Sequence, residues 1–145
     1  MDSIKINTGV KRIAINDDPE RVLEFNPSDV TFAERFYQLL GDFEAKQAEY
    51  EKRAEVLDAN PEELDARGLP ANIGQKLAFM REVCEFMYGK IDYLFGAGAS
   101  KKIFGEALNL EAVGQFFDGI VPFIQASRSE RVAKYAPKQG KRVMK

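Results

Sequence analysis

The residue types best able to do chemistry are few in this chain. It has one cysteine, Cys84, and neither histidine nor tryptophan, so the commonest general base and the commonest metal ligand are both missing. Cys84 stands between Met80 and Met87 on an apolar helical stripe. Burial there disfavours the thiolate that a nucleophile needs, so the expectation is a structural thiol. Acid–base work would fall to carboxylates, which are dense from Asp29 to Arg67. Glu51 and Glu55, with Lys52 beside them, have the i,i+4 spacing of a solvated helix face, and nothing in the pattern gathers them into a pocket. Only an all-oxygen calcium or magnesium site remains open to the chain, and the sequence has no EF-hand-like Asp-x-Asp-x-Asp-Gly loop. The run Gly96-Ala97-Gly98-Ala99-Ser100-Lys101-Lys102 lacks the Gly-x4-Gly-Lys-Ser/Thr spacing of a phosphate cradle and has no buried strand before it, so it reads as a turn between helices. No catalytic, metal or cofactor residue is therefore expected, and the chain reads as a non-enzymatic binding protein.

Candidate binding residues are of two kinds. Met80, Met87, Phe116, Phe117 and Phe123 are adaptable or aromatic groups that could line a groove for a helical client, or equally fill a core. Arg128, Arg131, Lys134, Lys138, Lys141, Arg142 and Lys145 make the C-terminus basic, while the acids lie upstream. Such an end solubilises, steers an acidic partner or touches phosphates. Tyr135 is its one aromatic, which poorly supports a stacking platform for single strands. The net charge of −2 also speaks against a general nucleic-acid binder.

The 145 residues suit one domain, and 45% hydrophobic residues suffice for its core. A lone cysteine suits a reducing compartment. With no basic-then-apolar leader and no run of about 18 apolar residues, neither export nor membrane spanning is expected.

The elements that must position these residues are mainly helical. Ile4/Ile6 and Ile13/Ile15 alternate around Thr8-Gly9 and predict a hairpin. Arg21 to Phe25, after Asn16-Asp17-Asp18-Pro19, offers a third strand. Ser28 is the expected N-cap of a long helix carrying Phe32, Phe36, Leu39, Phe43, Tyr50 and Leu57, whose C-terminal half, interrupted by Lys46 and Arg53, is expected to project into solvent. Asn60-Pro61-Glu62-Glu63 reads as a turn, and Arg67-Gly68-Leu69-Pro70 as a connection. Ile73, Leu77, Met80, Cys84, Met87, Ile91 and Leu94 recur at alternating spacings of four and three, which predicts a helix with this seam in the core. A third helical region starts near Ser100 and restarts at Asn109, with Pro122 expected to kink or restart it. The whole is mainly α (α+β): a small N-terminal hairpin or three-stranded sheet on three to five helices. Residues 1–127 form one domain, β-rich over 1–27 and helical over 28–127, and 128–145 form a basic helix or flexible tail.

This order of parts, with the segment Phe25-Asn26-Pro27-Ser28-Asp29-Val30-Thr31-Phe32-Ala33-Glu34-Arg35-Phe36 and the ending Ser129-Glu130-Arg131-Val132-Ala133-Lys134-Tyr135, resembles the tail assembly chaperones of long-tailed phages and prophages of Gram-positive bacteria. The resemblance implies a protein of the host cytoplasm that binds the tape measure protein, assists polymerisation of the tail tube protein around it, and leaves before the virion is complete. It also implies a longer frameshifted form. A homo-oligomer is expected, because the apolar residues of the third region exceed what two helices and a hairpin can cover. The competing reading is a small nucleic-acid-associated or regulatory protein acting through the basic end.

Overall fold

The computed structural model describes residues 1–59 and 64–135, with 127–135 traced through their backbone. Its elements are β1 (Lys11–Ile15), β2 (Asp18–Phe25), α1 (Val30–Ala59), α2 (Ile73–Phe95), α3 (Ala99–Phe104) and α4 (Leu110–Tyr135). The chain is mainly α, with one small antiparallel hairpin.

That hairpin is one strand later than the alternation of Ile4 and Ile6 suggests. β1 pairs with β2, and the reversal falls on Asn16 and Asp17, both with positive φ (54° and 58°). Two left-handed residues match the twist of the flanking strands, and asparagine and aspartate tolerate them. Thr8-Gly9 does not reverse the chain into a strand pair. Residues 1–10 form no strand, and Ile4 and Ile6 are exposed. Among the described residues the sheet therefore has two strands, the hairpin alternative, and no third.

A two-stranded hairpin is marginal alone, and side chains tie this one down. Leu23 and Phe25 enter the core, and the Phe25 ring meets Phe32 and Phe95 at 5.7 and 5.5 Å. The Arg21 guanidinium donates to the carbonyls of Lys102 (2.9 Å) and Ile103 at the end of α3. Those carbonyls lack partners within so short a helix, and a cation is the natural group to satisfy them.

α1 starts at Val30, with Asp29 rather than Ser28 in the capping place. The Asp29 carboxylate accepts from the Thr31 amide at 2.9 Å, and its carbonyl from Ala33, a bond pattern that satisfies two of the orphan donors of the first turn. Phe32, Phe36 and Leu39 are buried as their spacing predicts. The second half of α1 does not project alone into solvent. It lies antiparallel against the first half of α2, joined by Tyr50 to Phe79 (5.8 Å) and by Asn72 Nδ2 donating to the Leu57 carbonyl (2.9 Å).

The seam of α2 is core only in its second half. Cys84, Ile91 and Leu94 are buried, whereas Leu77 and Met80 are 57% and 50% exposed. A second stripe, Phe79, Val83 and Phe86, about 100° round the helix from the seam, is the one that meets α1. The seam is covered where Val113, Phe116, Phe117 and Ile120 of α4 join the core cluster with Ile91 and Leu94, and is bare beyond it.

α2 ends at Phe95, where Gly96 and Gly98 have φ of 112° and 84°, angles nearly reserved to glycine. The Asp92 carboxylate accepts from the Ser100 amide at 2.7 Å and fixes α3 behind that turn. Asn109 caps α4, accepting from the Ala112 amide at 3.2 Å. Pro122 lies within α4 without restarting it. No helix among the described residues is long and apolar enough to cross a membrane.

Candidate functional site

The residues singled out from sequence are not brought together. Met87, Phe116 and Phe117 are partly buried and pack on the core. The Phe116 ring lies 5.6 Å from Phe95 and 6.0 Å from Phe104, and Phe117 meets Phe43 edge-on at 5.4 Å. Phe117 packs inward, whereas Phe116 also lines a slot beside β1 with Ile13, Ile15 and Ile120. Met80 and Phe123 are half exposed, on α2 and α4 respectively. Arg128, Arg131, Lys134 and Tyr135 fall on the backbone of α4, which continues to Tyr135. Lys138, Lys141 and Arg142 lie outside the described residues, as does the Asn60-Pro61-Glu62-Glu63 turn.

Cys84 is 2% exposed, and burial pushes its thiol above the ordinary value, with Arg81 pulling the other way more weakly. A thiol so placed packs as a small hydrophobe and is slow to react. Among the described residues no three or more acids and cysteines stand together as metal ligands.

An open apolar site does exist, between the outer halves of α1 and α2. Lys52, Arg53, Val56 and Leu57 of α1 and Gln75, Ala78, Phe79 and Glu82 of α2 line a groove of about 500 Å³. Its half-buried lining is Leu57 and Phe79, and Val56 and Ala78 stand exposed along it. The groove is held in shape by polar contacts across the helix pair. Arg53 donates two hydrogen bonds to the Glu82 carboxylate, at 2.5 and 2.8 Å, while its guanidinium lies 4.8 Å from the Phe79 ring centre. The fork-on-carboxylate bond, strongest of the causes, holds Glu82 below the ordinary carboxylate value and raises Arg53 above its own. Lys46 sits over both Tyr50 and Phe86 at 5.7 Å. Lys46 and Arg53, which interrupt the apolar stripe of α1 in the sequence, thus bridge to α2.

Chemically, this groove can take an apolar side chain from a helix laid along it, with cations and a carboxylate at its edge for orientation. The sequence carried a faint signal for it. Phe79, Val83 and Phe86 repeat at four and three, one residue out of step with the stronger seam, and show that α2 has two faces to cover.

Against known proteins, residues 20–145 match one family, described as a family of unknown function (DUF6673). No curated protein and no solved structure matches the chain.

Proposed function

The chain belongs to the DUF6673 family, whose function is unknown, and from that premise we propose that it is a non-enzymatic tail assembly chaperone that binds a tape measure protein and assists tail tube polymerisation in the host cytoplasm. The observation that carries this reading is the groove between α1 and α2. A tape measure protein is a long helical client, and an apolar trough about two helical turns long, rimmed by Lys52, Arg53 and Glu82, suits a passing amphipathic helix. Binding one short stretch at a time gives affinity low enough for later release.

The resemblance in the Phe25 to Phe36 segment supports the same reading. In the fold that segment is the joint between hairpin and bundle, where Phe25, Phe32 and Phe36 are buried together. Its residues therefore answer to folding, and client contact is assigned to the groove.

Co-expression with a tape measure protein from a phage or prophage that carries this chain tests the proposal. A soluble complex that co-purifies is expected. A tape measure protein that stays insoluble and unbound would overturn it. The regulatory reading predicts instead a DNA or RNA affinity that falls steeply with salt.

A further inference from the structure

The N-terminal residues and the outer edge of β1 are each unsatisfied in a way that the other would satisfy. Ile4, Ile6 and Val10 alternate with Lys5 and Asn7, the pattern of a strand with one apolar face, yet all three are exposed and unpaired in this structure. Among the described residues the sheet holds two strands, β1 and β2, and none of them pairs with the outer edge of β1, which presents backbone donors and acceptors. Beside that edge lies a slot of about 260 Å³, bounded by Ile13, Ile15, Ile103 and Phe104 on one side and Phe116 and Ile120 on the other. The α4 wall of the slot also carries Ala112 and Gly119, whose small side chains leave room for an added strand.

We propose that residues 2–6 of a second copy of this chain add to the outer edge of β1, seating Ile4 and Ile6 over the slot. The chain's own arm is held away from that edge. Asn26 Nδ2 donates to the Thr8 carbonyl at 2.8 Å. Gly9, with φ of +85°, lies so close to Ser28 that a Cβ would meet its Oγ at 2.5 Å. Residues 8 and 9 are thereby fixed against the segment that follows β2, on the side of the hairpin away from the free edge. Folding back onto β1 would break both contacts.

Charge selects the direction of the incoming strand. Laid parallel to β1, the arm sets Ile4 beside Ile13, Ile6 beside Ile15, and Asp2 beside Lys11. Asp2 and Lys11 make no ion pair with any described residue. Laid antiparallel with Ile4 and Ile6 seated on Ile15 and Ile13, it would bring Asp2 against Asp17, a like-charge contact. Strand addition of this kind draws its affinity from main-chain hydrogen bonds and its register from alternate side chains.

The parallel register places Lys5 opposite Ala14, both exposed, which gives a direct test. Lys5→Cys and Ala14→Cys proteins are prepared separately, mixed, and oxidised mildly; buried Cys84 remains silent, as an unsubstituted control verifies. A disulfide-linked dimer is expected in the mixture at least tenfold above either variant alone. No enrichment would overturn the proposal, as would a Lys5→Cys/Ala14→Cys double variant closing the bond within one chain. Sedimentation gives an independent reading. Removal of residues 2–6 is expected to weaken self-association at least tenfold, and Asp2→Lys to weaken it with partial rescue by Lys11→Asp. Equal association of truncated and full-length chains would overturn the proposal.

Discussion

Arg53 of α1 and Glu82 of α2, 29 residues apart in sequence, meet in a two-bond fork that fixes the spacing of the helices on either side of the candidate groove. Because the bond to Arg53 depresses the Glu82 carboxylate, this pairing stabilises the helix pair at pH above the ordinary carboxylate value of 4.5 and is lost as pH falls through the lower folded value. Protection factors of the amides in residues 50–58, taken relative to intrinsic exchange at each pH, are expected to fall over that acid window. Glu82→Gln should lower them already at neutral pH and flatten the acid dependence, and an unchanged profile in the variant would assign the acid response elsewhere.

The two halves of the α2 seam should respond differently to truncation. Ile91 has no exposed surface, so Ile91→Ala is expected to cost about 2–5 kcal/mol. Leu77, more than half exposed, should cost less than about 1 kcal/mol when changed to alanine. Urea midpoints decide the matter, and equal losses would contradict the packing described.

Arg21 should matter through geometry and not charge alone. Arg21→Ala removes both bonds to the α3 carbonyls and is expected to cost about 1–3 kcal/mol in unfolding free energy. Arg21→Lys should recover only part of it, since an ammonium cannot reproduce the fork.

Much of this architecture was legible in the sequence, and the failures have physical reasons. The glycines after Phe95, the Asn109 cap and the Phe32, Phe36 and Leu39 stripe are local signals, and each appears where its spacing puts it. Periodicity gives the face of a helix but not the length over which a neighbour covers it, so the seam through Leu77 and Met80 promised more core than α4 supplies. Alternation at Ile4 and Ile6 signals a strand only where a neighbour pairs with it, and within the chain the Asn16-Asp17 turn pairs β1 with β2 while residues 1–10 stay outside the sheet. Long polar side chains misled in the opposite sense. Lys46 and Arg53 looked like solvated interruptions, yet their cationic heads sit over Phe86 and Phe79 across the helix pair. The groove left only the faint Phe79, Val83 and Phe86 signal for the same reason, because it is made by two helices whose pairing those residues decide.

The basic end is expected to act on encounter and not on folding. Deletion of residues 137–145 removes Lys138, Lys141, Arg142 and Lys145, and should leave unfolding free energy within about 0.5 kcal/mol. Association with an acidic client should slow chiefly at low salt, the difference shrinking as the Debye length falls toward about 8 Å. Stopped-flow rates across ionic strength give the answer, and a large fall in melting temperature would show the segment to be structural.

The most direct test of the proposed function is the affinity of groove variants for the tape measure protein. Val56 and Ala78 are exposed, so Val56→Asp and Ala78→Glu put charge into the groove without touching the core. With the fold verified by an unchanged melting temperature, the dissociation constant measured by titration calorimetry is expected to rise at least tenfold in each variant, whereas Phe123→Ser on α4 should leave it unchanged. Equal affinity of the groove variants and the unsubstituted protein would contradict the assignment of client binding to the α1–α2 groove.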